Sequence, residues 1–263
     1  MKHSGCLHRI GTYLLFCALV SPFDYAQAEL TDITVRVVAR NAQYVGDLIE
    51  GAFVTITDAE SGEMLAQGIT SGNAGNPQRT MQTSRKRGEP MAANGDAKFA
   101  ATLDIDKPRY LQVTAYGPLA EGFSANRASA TQWIVPGKHL SAGDGWVLEL
   151  AGLLVSPNLT ASTVPLSQAT NGILIEAEVM LMCGCPIKPG FYWDSKDYEV
   201  VAIVDRGDDN VGRFPLSFAG AASEYETQFT PQIPGVYDIS VYAYDSVSGN
   251  TGVGRIELTV TED

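Results

Sequence analysis

The chain has 263 residues, with 18 Lys and Arg against 30 Asp and Glu, a formal net charge of −12 and 45% hydrophobic residues. That acidity makes nucleic acid and anionic membrane poor partners, while the apolar content argues against a wholly disordered chain. The length suffices for one large domain or two ordinary ones, each burying its own core.

Lys2 and Arg9 flank the start of an apolar stretch over 10–20, and Ala26-Gln27-Ala28 has the A-x-A form of a cleavage site. These are the parts of a secretory signal peptide, expected over residues 1–28 with cleavage before Glu29. The apolar stretch of eleven residues falls short of the roughly 20 that a membrane span requires. Cleavage would remove Lys2, Arg9 and Asp24, leaving 16 basic and 29 acidic residues and a net charge of −13. The mature chain is therefore expected to be periplasmic or secreted, with no membrane insertion. In such an oxidising compartment, disulfide formation is the default for two neighbouring thiols.

From Ile33 onward apolar residues recur at period two, as in Ile33, Val35, Val37 and again in Ala52, Val54, Ile56. That period belongs to half-buried strands, and helical periodicity is nearly absent. Further strands are expected at 63–69, 98–103, 110–116, 128–135 and 146–155, a set that fits one sandwich. The polar segment 71–97 breaks the pattern. It carries Arg85-Lys86-Arg87 and reads as a long mobile loop, or as a basic tip that docks on an acidic partner. Ser156-Pro157-Asn158 marks the expected boundary, after which alternation resumes at 159–166, 172–181, 198–205, 212–218, 225–229, 236–244 and 254–260. The expected fold class is all-β, with two consecutive β-sandwich domains over 29–156 and 157–263.

Two resemblances accompany this reading. Residues Glu50-Gly51-Ala52-Phe53-Val54-Thr55-Ile56-Thr57-Asp58, with Ser61-Gly62 and Gly68-Ile69-Thr70, resemble the transthyretin-like or carboxypeptidase-regulatory type of β-sandwich. In the second block, the run from Pro234 to Asp245 followed by Ser248-Gly249-Asn250-Thr251-Gly252 resembles the last two strands of bacterial immunoglobulin-like and PKD-type domains. That resemblance implies a tyrosine-corner role for Tyr237 and an inward face of Ile239, Val241 and Ala243. Both kinds of domain mostly bind, space or present, although a fold by itself does not determine a function.

The densest chemistry lies in Met180-Leu181-Met182-Cys183-Gly184-Cys185. Alternation assigns Ile173, Ile175, Ala177, Val179 and Leu181 to a core face, and Leu174, Glu176, Glu178, Met180 and Met182 to the opposite one. Gly184 and Pro186 then force a turn that aims both cysteine sulfurs at one small volume. The aromatic loop 189–194 is expected nearby, as are Asp245, Ser246 and Asn250. Three readings follow. Met180, Met182, Cys183 and Cys185 form a soft-metal site, copper being the expected ion because thiolates and thioethers select Cu(I). Alternatively Cys183 and Cys185 form a disulfide in a scaffolding or accessory subunit that docks on a periplasmic protein partner. In the third, they are free buried cysteines beside methionines in a domain interface.

Other chemistry is weaker. Zinc lacks its usual four Cys or His ligands, His139 being the single histidine after residue 28 and lying in a turn of the first block. Asp205, Asp208, Asp209 and Asn210 make an acidic hairpin tip without EF-hand spacing. No Ser-His-acid triad assembles from one histidine. A thiol-disulfide redox enzyme ranks last, because Cys-x-Cys lacks the helix N-terminus that lowers a thiol pKa. The expected function is that of an exported, non-catalytic binding protein.

Overall fold

The computed structural model describes Met1 and residues 28–263. Apart from Met1 and Ala28, the expected signal peptide lies outside the described residues. The first half contributes seven strands: β1 (Glu29–Ala39), β2 (Phe53–Asp58), β3 (Met64–Ile69), β4 (Phe99–Ile105), β5 (Arg109–Gly117), β6 (Asn126–Ile134) and β7 (Trp146–Leu150). They form two sheets, ordered β4-β1-β7 and β3-β2-β5-β6. Strands β2, β5 and β7 bury alternate residues, and Ile33, Val35 and Val37 of β1 share one core with Val54, Ile56, Leu111, Val113 and Leu148. Burial of each such side chain contributes roughly 1.5–3 kcal/mol. Between β2 and β3, Asp58 closes the turn by accepting from the amides of Glu60 at 3.0 Å and Ser61 at 2.9 Å.

The second half contributes β8 (Leu153–Leu159), β9 (Thr163–Pro165), β10 (Ile173–Leu181), β11 (Tyr198–Arg206), β12 (Asp209–Pro215), β13 (Ser217–Phe218), β14 (Glu224–Phe229), β15 (Gly235–Asp245) and β16 (Thr251–Thr261). Their sheets are ordered β13-β14-β10-β8 and β12-β11-β15-β16-β9. Ile239, Val241 and Ala243 face the core, and the Tyr237 hydroxyl donates to Ile233 O at 2.6 Å, the contact of a tyrosine corner. The chain is all-β and folds as β-sandwiches.

Two expectations about the first half need correction. Residues 146–155 are not one strand: β7 pairs in parallel with β1, whereas β8 pairs antiparallel with β10. The change of sheet falls at Ala151-Gly152, ahead of the boundary expected at 156 and 157, because Gly152 adopts φ +123° and turns the chain out of one sheet into the next. The segment 71–97, expected as a mobile loop, is fastened to the sandwich. Buried Arg36 donates to Asp96 O and Ala97 O at 2.8 Å. Arg79 donates to Pro90 O and Ala92 O at 3.1 Å, and Asp144 accepts from the amides of Met91 and Ala92. Buried guanidinium donors require acceptors, and loop carbonyls supply them to Arg36 Nη1. Of the basic tip, Arg85 lies 3.7 Å from Asp144.

The two sandwiches share one continuous buried cluster. Asn126 Nδ2 donates to Ala151 O at 2.8 Å, and Asn250 Nδ2 donates to Arg40 O at 3.1 Å while its Oδ1 accepts from Gly152 N at 3.1 Å. The junction is thus packed and hydrogen-bonded. Among the described residues, no helix is long and apolar enough to cross a membrane.

Candidate functional site at the junction of the two sandwiches

Strand β10 ends at Leu181, and a tight turn follows in which Gly184 N donates to Leu181 O at 2.8 Å. Gly184 has φ +71°, which carries the chain back so that Met180 bridges to Pro186. The turn brings Cys183 and Cys185 together. Their sulfurs are 1.96 Å apart and their Cα atoms 5.3 Å apart, a disulfide. With the bond formed, neither sulfur is a thiolate, so the donor set expected for copper is not assembled in this oxidised form.

The methionines separate. Met180 remains half-buried on the strand face that also carries Glu176 and Glu178. Met182 is only 1% exposed, and its sulfur lies near Gly152, 3.6 Å from the point a Cβ there would occupy. Alternation placed it beside Met180; the strand ends one residue earlier, so period two no longer governs its direction.

The turn is capped by the first sandwich. Segment 40–49 lies across the turn, leaving Cys183 at 0% and Cys185 at 2% exposure. Cys185 Sγ is 3.5 Å from Gln43 Oε1, and Gln43 Nε2 donates to Gly75 O at 2.7 Å. Trp193 Nε1 donates to Asn41 O at 2.9 Å. The aromatic loop is therefore close by, as expected, with Trp193 buried against the other sandwich while Phe191 and Tyr192 stay part-exposed. Phe191, Tyr192 and Trp193 pack mutually with centroids 5.0–6.1 Å apart. Asn41, Gln43, Leu48 and Ile49 carry no sequence motif; only the polar break after β1 hints that they form a turn.

The remaining candidates disperse. Asn250 reaches the junction, but Ser246 donates to Asp197 O at 2.9 Å, and Asp245 is occupied by the amides of Val247 and Ser248 and by the Ser248 hydroxyl. His139 accepts from Asp32 N at 3.0 Å, in the first sandwich. The acidic tip is internally paired: Asn210 donates to Asp205 at 2.7 Å and Arg206 to Asp209 at 3.3 Å. Among the described residues, no group of three or more His, Cys, Asp or Glu is placed to hold a metal ion.

The electrostatics around the turn are quiet. The Lys196 amide, aided by its side chain, holds the Asp194 carboxyl below its usual range. Burial pushes the Tyr198 and Tyr225 phenols well above theirs, so both stay neutral. The outer face of β10 and β14 is more charged. Glu176 stands directly opposite Glu226, and Glu178 opposite Glu224, beside a surface depression of about 420 Å³.

Neither protein-family models nor curated proteins match the chain. Among solved structures it is similar to the fibronectin(III)-like modules of Clostridium thermocellum CbhA, at 14% identity over 89% of this chain and 94% of that one, with a TM-score of 0.27.

Proposed function

We propose that the chain is an exported, non-catalytic binding or scaffolding protein, a transthyretin-like sandwich followed by an immunoglobulin-like one, that docks on a periplasmic or secreted protein partner. The observation that carries this reading is the Cys183–Cys185 disulfide sealed beneath segment 40–49. A disulfide so placed shapes a turn that another sandwich grips; it has no open approach for a thiol substrate. The mass of the purified chain without reductant should be two protons below that of the reduced chain. Pull-down from the exported fraction should retain its partner after copper is chelated. Free thiols in the native chain, or loss of the partner on chelation, would refute the proposal.

A soft-metal role is proposed for the reduced chain alone. Met182, Cys183 and Cys185 are close in sequence and buried, and thiolates with a thioether suit Cu(I); the proposed fourth donor, Met180, sits on the face with Glu176 and Glu178 and joins them only when the end of β10 turns. Reduction requires local opening of the junction, which admits a small dithiol that delivers two electrons and two protons to the S–S bond and is itself oxidised to a disulfide. Cu(I) titration with and without that reductant tests this role. Equal Cu(I) affinity in the reduced wild type and in the Cys183→Ser, Met182→Ala variant would eliminate it.

A further inference from the structure

The four-stranded sheet of the first sandwich turns one face to its core and leaves the other in solvent. On that outer face the strand register aligns Gln67, Thr55, Thr114 and Ser129 in one row. Thr57, Gln112 and Thr131 make the next. Met64, paired with Thr57, adds an exposed apolar side chain at the β3 edge of the second row; the other residues of the two rows carry hydroxyls and amides, and none is charged, in a chain with 30 acidic residues. Aromatic pairs close both ends. Phe53 lies opposite Tyr116, and Tyr110 lies opposite Trp133.

Trp133 is 60% exposed, whereas Trp146 and Trp193 are 7% and 3% exposed. It is the one tryptophan of the chain's three left on the surface. The Tyr110 and Trp133 rings have centroids 5.2 Å apart, and the Tyr110 hydroxyl is fixed 2.7 Å from Thr131 Oγ1. At the other end, Arg127 lies over the Tyr116 ring at 5.5 Å. Tyr116 lies six positions beyond Tyr110 on β5, a span of about 20 Å along a strand.

We propose that this face binds a neutral, extended polysaccharide strand lying along the sheet between the two aromatic pairs. A sugar ring presents an apolar C–H face that packs on an aromatic ring, and a rim of hydroxyls that pair with Thr, Ser and Gln side chains. The pattern of aromatic ends around a hydroxyl and amide centre matches both requirements. Charge selects further: the acidic chain repels anionic glycans, and the two central rows offer a cationic partner no carboxylate. The inference rests on the binding-protein reading and is independent of the sulfur turn.

Cellohexaose and chitohexaose, titrated against the full mature chain and followed by tryptophan fluorescence, test it. Maltohexaose supplies a curved neutral glycan and polygalacturonate an anionic one. At least one extended hexaose should bind saturably and perturb the emission of exposed Trp133. Trp133→Ala should weaken that binding at least tenfold, and so should Thr114→Lys, which blocks the centre of the face without touching the aromatic pairs. Both variants should keep the wild-type melting temperature to within a few degrees. Failure of both extended hexaoses to bind, tighter binding of maltohexaose or polygalacturonate, or unchanged affinity in Trp133→Ala and Thr114→Lys would each overturn the proposal. So would conversion of a dimer to monomer by Thr114→Lys, which would assign the face to a second copy. If the sugars fail while pull-down still captures a protein partner, the sugar assignment falls and the scaffolding reading stands.

Discussion

Gly184 lies so close to Ile49 that a Cβ added to the glycine would stand 2.6 Å from Ile49 Cγ2. The contact crosses the junction between the sandwiches, and the glycine holds a left-handed φ of +71°. Both facts act against any side chain: αL backbone costs a non-glycine residue about 1–3 kcal/mol, and the clash forces segment 40–49 away. Gly184→Ala should lower stability by at least about 2 kcal/mol. It should also increase proteolysis between the sandwiches, read by denaturant unfolding and limited digestion. A wild-type unfolding midpoint in this variant would mean that the two sandwiches do not grip each other here.

The disulfide closes a loop with only one residue between the cysteines, so its chain-entropy contribution is small, on the order of 1–2 kcal/mol. Cys183→Ser with Cys185→Ser should lose that amount plus the cost of two buried hydroxyls, about 1–3 kcal/mol each where unpaired. Cys183→Ala with Cys185→Ala should lose less, because no polar group is buried. Urea midpoints of the two double variants, compared with the wild type, check the ordering.

Asp58 is held below the usual carboxylate pKa, chiefly by the Ser61 amide, with the Glu60 amide and the Ser61 side chain adding to it. A carboxyl whose pKa is lower folded than unfolded stabilises the fold above its unfolded value, about 3.9. That contribution fades as pH falls through the lowered folded value. The Asp58→Asn variant keeps the turn's acceptor and removes the titration, so its stability should fall less steeply than the wild type's below pH ~4. Thermal melts from pH 6 downward measure the two slopes; parallel slopes would refute the assignment.

Glu176 faces Glu226 across the β10–β14 ladder, and Glu178 faces Glu224. Directly opposed like charges weaken a sheet, and an opposite pair contributes roughly 0.2–1 kcal/mol. Glu226→Lys should therefore raise stability by about that amount at low salt. The gain should shrink at high ionic strength, where surface charges are screened. Melting temperatures at two salt concentrations give the comparison, and a salt-independent gain would point to packing instead.

Trp193 and Asn41 are joined by one hydrogen bond across the junction. Trp193→Phe removes the donor and leaves Asn41 O without it, so a loss of about 1 kcal/mol is expected in chemical denaturation. The fluorescence of buried Trp193 disappears with it.

Much of the architecture was legible in residue order because it depends on local geometry. Side chains of a strand alternate by backbone necessity, so Ile175, Ala177 and Val179 declared their inward face without reference to any partner. The Asp58 turn and the Tyr237 corner also use short-range bonds, between residues at most four positions apart. The meeting of Cys183 and Cys185 was legible too, since Gly184 leaves them adjacent. The burial of those sulfurs was not.

The sequence by itself determined an all-β chain with strands at period two and two cysteines forced into one turn, because each of those follows from the conformational limits of neighbouring residues. Only the tertiary structure decided that Gln43 would close over Cys185, 142 positions away. The transfer of the chain between sheets at Gly152 and the inward turn of Met182 were decided there as well. Those outcomes depend on which surfaces fit together once the sandwiches form, and complementarity between distant surfaces leaves no periodic trace along either segment.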